Sequence, residues 1–255
     1  MSNPGVPSPA SAPVATSAGL SQGARIINTF VDPPKTFTDL RRSASWFVPF
    51  LLLSLFSYAL IFAAAQKIGF DQITQNQMRM NHKQMERIES MPPAQQASAR
   101  QMGVTFTKIF SYAWAVVLLL VVLIISAVLM ATFNFGLGAE ISFSQSLAVN
   151  MYAHLPGIIK AVLAVFSIYA GASPENFIFQ EPVASNLGAM VDASQHIVLF
   201  TFLSSLDIFA LWTLVLTGIG FACVSKVKRG TAIGVVAGWY VLWTLISTGL
   251  AALSA

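Results

Sequence analysis

Five stretches of the chain are apolar for about twenty residues or more, and most charged positions fall between them. They cover residues 46–65, 109–133, 147–170, 197–224 and 231–252. A helix rising ~1.5 Å per residue needs ~20 such residues to cross ~30 Å of hydrocarbon. The pattern therefore predicts an all-α integral membrane protein, a five-span transmembrane helical bundle. The last two stretches are joined only by Ser225-Lys226-Val227-Lys228-Arg229-Gly230, where three of six residues are cationic. Short connections rich in Lys and Arg stay on the cytoplasmic side. This hairpin anchors the topology.

The third stretch is uneven. Its first half holds Asn150, His154, Pro156 and Gly157, Lys160 follows, and residues 161–170 are apolar. Proline deletes a helical hydrogen bond, and backbone freed at membrane depth needs a partner. A third span broken at His154, Pro156 and Gly157 is the expectation.

The polar segments sort by pattern as well. Residues 66–108 form the largest one, rich in glutamine, and no Gly or Pro interrupts 71–90. One helix there, ended by Met91-Pro92-Pro93, and a second starting at Pro93 predict a helical hairpin over the membrane surface. Residues 25–45 place apolar side chains at 26, 27, 30, 37 and 40 around Pro33-Pro34. They read as short amphipathic pieces on the membrane surface that lead into the first span. Residues 1–24 are rich in Pro, Ala and Ser, without the cationic start or apolar run of a signal peptide, and read as a disordered tail. The five-helix domain then occupies 46–253.

Composition excludes a soluble domain. Apolar residues are 55% of the chain, charged residues 9%, and mean hydropathy is +0.69, against about 25% charge in soluble proteins. The net charge of +4 sits beside apolar segments, so it indicates membrane flanks rather than nucleic acid. Lone Cys223 rules out a disulfide within the chain. A cytoplasmic N-terminus puts 134–146 and 226–229 inside, with 171–195 and the C-terminus on the opposite side. The loop 171–195 has Glu175, Glu181 and Asp192 and no Lys or Arg, which fits. Loop 66–108, with Lys67, Arg79, Lys83, Arg87, Arg100 and Lys108, runs against the rule.

Charge inside the apolar stretches needs a reason, because an ionisable group at mid-bilayer costs ~2.5–3.5 kcal/mol on insertion scales. Asp207 stands well inside the fourth stretch and Lys160 near the middle of the third. Three uses fit: a mutual pair, separate snorkelled or hydrated positions, or a site for substrate or proton. Gly230, Gly234 and Gly238 place small residues four apart on the last span, for packing against span four or for self-association. Trp212, Trp239 and Trp243 lie deeper than an interfacial belt and are expected between spans. His82 falls in the polar loop, where solvation is expected, and His196 at an interface. No His-Glu-x-x-His, Gly-x-Ser-x-Gly or phosphate-cradling glycine loop is present. The expectation is no catalytic, metal-binding or cofactor-binding residues and no cofactor. The expected partners are the lipid bilayer and other membrane proteins or further copies, with no nucleic acid.

Residues 144–157, running from Ser144 through Tyr152 to Leu155-Pro156-Gly157, resemble the start of the third span in the Yip (Ypt-interacting protein) domain family. Leu206-Asp207 through Trp212 to Gly218-Ile219-Gly220, the basic turn and an aromatic last span are similar to that family's closing hairpin. Phe30-Val31-Asp32-Pro33, then Phe37 and Leu40, are similar to its segment leading into the membrane. The resemblance covers roughly 26–250 and implies a five-span bundle with a cytoplasmic N-terminus and a non-enzymatic scaffold, organising or protein-interaction role. Eukaryotic members are linked to Rab GTPases and vesicle traffic. Their Asp-Leu-Tyr-Gly-Pro motif is missing here, so the chain looks like a bacterial-type member of the inner (cell) membrane. The alternative is a small-solute or ion transporter or channel using Lys160 and Asp207. A membrane enzyme has no supporting constellation.

Overall fold

The computed structural model describes residues 19–254, so most of the expected tail lies outside the described residues. Within them the chain is helical, without a strand. Its spans are α3 (Phe47–Lys67), α7 (Trp114–Ala131, continued by a π turn, Thr132–Gly136), the pair α8 (Phe143–Ala153) and α9 (Pro156–Tyr169), α11 (Ile208–Ser225) and α12 (Arg229–Ser254). These make five helices or helix pairs long and apolar enough to cross a membrane.

Two helices precede the spans: α1 (Gln22–Val31) and α2 (Pro33–Asp39). Ser21 caps α1 by accepting from Ala24 N–H at 3.2 Å, and the Pro33-Pro34 pair ends α1 and opens α2, where missing N–H groups cost nothing. The expectation of pieces merely lying on a surface is incomplete. Phe37 and Leu40 are fully buried, and α2 packs along α11 while α1 rests on α8. Helical structure also begins three residues inside the segment expected to be a tail.

The polar loop folds as α4 (Phe70–Arg79), α5 (His82–Glu89) and α6 (Pro93–Tyr112). Gly69, at φ +86, turns the chain from α3 into α4, a conformation that L side chains resist. The single helix expected over 71–90 is broken at Met80-Asn81, because the Asn81 side chain accepts from Gln84 N–H at 3.0 Å and starts a new helix. Span two starts later than expected, since 109–112 belong to α6.

The apolar run 197–224 is likewise two helices, α10 (Ile197–Ser204) and α11. Eight residues reach ~12 Å, too short to cross, so α11 alone is the fourth span. Asp207 makes the break. Its Oδ1 accepts from Phe209 and Ala210 N–H at 2.9 and 3.0 Å, the N-cap of α11. Asp207 therefore precedes the span instead of lying deep within it.

The main core surrounds α8, whose Val149, Met151, Tyr152 and Ala153 are fully buried. A second cluster joins α3, α4 and α9 through Ile61, Ala64, Phe70, Ile73 and Ile168. The close α11–α12 crossing is at Gly218, where a Cβ would come 2.7 Å from Ile233 Cα. Gly230, Gly234 and Gly238 have nothing within 4 Å of such a Cβ, so they do not make the contact with span four. Trp212 packs edge-on to Phe30 at 5.7 Å. Trp243, expected between spans, is 66% exposed on the outside of α12.

Candidate functional site

The bundle has two unlike ends. One carries α1, α2 and the turn at Lys226–Arg229 and is called the basic end here; the other carries α4–α6 and the loop 171–196. Charged side chains gather in buried clusters at both.

At the far end the cluster is built on the broken span. His154 N–H and Leu155 N–H bond back to Asn150 and Tyr152 carbonyls at 3.1 and 3.2 Å, closing α8. The His154 Nδ1 also lies 2.7 Å from Asn150 O. Pro156 then opens α9 and Gly157 N–H bonds His154 O at 2.9 Å, so the break is a tight turn with its backbone satisfied. One turn later, α9 carries Lys160.

Lys160 Nζ stands 3.2 Å from Asp207 Oδ2 and 3.5 Å from Glu181 Oε2. Asp207 is the more buried carboxylate, its side chain 5% exposed against 18% for Glu181. The Ser185 hydroxyl donates to Asp207 Oδ2 and the Asn186 amide to Glu181 Oε2. Ile208 N–H bonds Ser185 O at 3.1 Å, and Tyr240 OH donates to Ser205 O. Four segments thus converge: α9, the loop, the start of α11 and α12.

Two carboxylates share one ammonium, and their surroundings decide which keeps its charge. Burial pushes Asp207 up, but the Ser185 hydroxyl, the Ala210 N–H and Lys160 outweigh it, and its carboxyl settles below the usual range. Glu181 has no helix N-terminus. Burial dominates there, with the Asp207 charge adding to it against Lys160, and its carboxyl is pushed up to about 7. Glu181 also lines a cavity of about 720 Å³ beneath the loop, with Asn76, Arg79 and Asp192. Asn76 ties the loop to α4 by donating to Pro174 and Phe177 carbonyls at 2.8 and 2.9 Å.

Sequence reasoning singled out Lys160 and Asp207 and missed Glu181, Ser185 and Asn186. One signal was present: a loop with three carboxylates and no cation, in a chain with an unpaired lysine inside a span.

At the basic end Arg25, 3% exposed, lies 2.7 Å from Asp39 and donates to Ser43 O at 2.9 Å. Thr36 donates to Arg25 O at 2.8 Å. Beneath this corner, Tyr152 OH donates to Gln22 Oε1 at 2.7 Å, and Asn150 donates to Ser126 Oγ at 3.1 Å. Among the described residues, no group of three His, Cys, Asp or Glu is placed to hold a metal ion.

The sequence model of the Yip1 domain matches residues 27–251. The chain belongs to the Yip1 domain family. Comparison with curated proteins and with solved structures gives no match. The Yip1 match takes in four spans and nearly all of the fifth, the α1–α2 corner from Ile27 onward, and both ion-pair clusters apart from Arg25. The protein is a multi-pass membrane protein of this family.

Proposed function

We propose that this Yip1-domain chain is a non-enzymatic membrane scaffold or organising protein of bacterial type. On this reading it lies in the cell membrane with its basic end cytoplasmic and its C-terminus on the opposite side. It works by contact with other membrane helices or further copies of itself. The observation that carries the reading is the split between the two glycine sets of the closing hairpin. Gly218 is used up in the crossing with Ile233, while Gly230, Gly234 and Gly238 are open on α12. Open small residues four apart let a second helix backbone approach closely.

The buried charges support the same reading. Lys160 pairs with Asp207 and with Glu181 of the loop, and Asp207 accepts from Ser185, fastening α9, α11 and the loop together. Nothing in this arrangement favours transport through the Lys160–Asp207 pair.

A photocrosslinker at Gly238 or Trp243, tested in native membranes, should give protein adducts. The same probe at Phe166 on α9, 73% exposed, should give mainly lipid adducts. Equal labelling at the two faces would overturn the reading. So would a solute flux through reconstituted vesicles that Lys160→Met abolishes with the fold intact.

A further inference from the structure

Among the described residues, five cations at the basic end have no carboxylate in ion-pair contact: Lys35 on α2, Arg41 just after it, and Lys226, Lys228 and Arg229 in the α11–α12 turn. All five are exposed. The acidic groups of this end are Asp32, Asp39 and Glu140, and Asp39 is engaged by Arg25 and Arg42.

The fold assembles this patch from two distant segments. α2 packs along α11, with Pro34 O 3.9 Å from Cys223 Sγ. The patch is therefore a joint product of the α1–α2 corner and the closing hairpin.

Two further observations bear on what it meets. First, α1 turns polar Arg25 and Thr29 inward and leaves Ile27 and Val31, one turn apart, 64% and 72% exposed. Phe47, at the start of α3, is 54% exposed at the same end. An amphipathic helix that presents isoleucine and valine outward beside the ends of five spans faces acyl chains. Second, Lys226 caps α11 at φ 62, a left-handed conformation that glycine adopts more readily. A cation is kept there at a conformational cost, which points to a use for its charge.

We infer that the basic end is a binding site for anionic glycerophospholipid. Lys35, Arg41, Lys226, Lys228 and Arg229 hold the phosphate headgroup, and Ile27 and Val31 lie against the chains. A basic cluster beside a span gains ~1 kcal/mol per cation from an anionic surface, so each cation accounts for about a fivefold change in affinity.

The test uses the full chain in neutral detergent and follows its unfolding temperature on titration with phosphatidylglycerol, phosphatidylcholine or glycerol phosphate. Phosphatidylglycerol should raise the midpoint and the other two should not. Replacing all five cations with Gln should abolish the rise. Arg79→Gln, Arg87→Gln and Arg100→Gln together, at the far end, should leave it intact. Lys226→Gly should raise the midpoint in detergent alone while weakening phosphatidylglycerol about fivefold, a combination that misfolding does not produce. The inference is overturned by a rise that survives the five Gln substitutions, or by an equal rise with phosphatidylcholine. Reproduction by glycerol phosphate would mark a soluble-phosphate site, and tighter binding of polyglutamate a protein-facing one; either also overturns it.

Discussion

Each end of the bundle fastens a non-spanning segment with a buried ion cluster, and the two clusters are built on opposite surpluses. At the basic end one carboxylate, Asp39, meets two guanidinium groups, Arg25 at 2.7 Å and Arg42 at 3.2 Å. At the far end one ammonium, Lys160, meets two carboxylates at 3.2 and 3.5 Å. With surplus cation, the carboxylate is fully compensated and the cluster works as a fixed staple. With surplus carboxylate, the better-bonded Asp207 stays ionised and Glu181 is driven up to about 7. Similar parts yield a surplus of cation at one end and a titratable carboxylate at the other.

The largest effect is expected from Arg25→Ala. It strands Asp39 partly buried and removes the bond to Ser43, and loss of one partner of a buried pair costs about 3–5 kcal/mol. Equilibrium unfolding in mixed micelles measures this, and Arg25→Lys should recover part of it. If Arg25→Ala costs less than the far-end substitutions, the basic end is not the tighter staple.

Asp207→Ala should come next, at about 2–4 kcal/mol, because it removes a helix cap and charge-assisted hydrogen bonds together. Asp207→Asn keeps the capping oxygen and should cost clearly less. Equal costs for Ala and Asn would show that the pair with Lys160, not the cap, carries the energy.

The smallest effect is the pH dependence. Glu181 is raised from 4.5 to about 7 on folding, so between these values the folded chain holds a proton that the unfolded chain releases. Its contribution to stability is fully present below pH 4.5 and is lost as pH rises through about 7. Glu181→Gln should flatten that part of the stability profile. Hydrogen exchange of the loop amides across the same range should show looser attachment at the higher pH. A wild-type profile unchanged by Glu181→Gln would erase the contrast between the two ends.

Much of this was legible in the chain. Lipid offers no hydrogen bonds, so each crossing segment must advertise itself as an apolar run, and all five did. Pro156 marked the broken span because its ring forbids the helical bond there, whatever surrounds it. Lys160 and Asp207 stood out because an unpaired charge in an apolar run is costly. By the same logic the run 197–224 misled. A single aspartate inside apolar sequence looks like a buried charge, and only its bonds to Phe209 and Ala210 reveal a cap between two helices.

What composition and period established is therefore the class of protein, the number of crossings and which residues needed an explanation. Tertiary structure decided who answers whom. It placed Glu181 beside Lys160, buried Arg25 against Asp39, and used Gly218 rather than Gly230, Gly234 and Gly238 for the closest crossing. Spacing along a helix defines a face, but the neighbour of that face depends on how each helix is rotated and where each loop lands. Those are properties of the packed whole, so no local pattern encodes them.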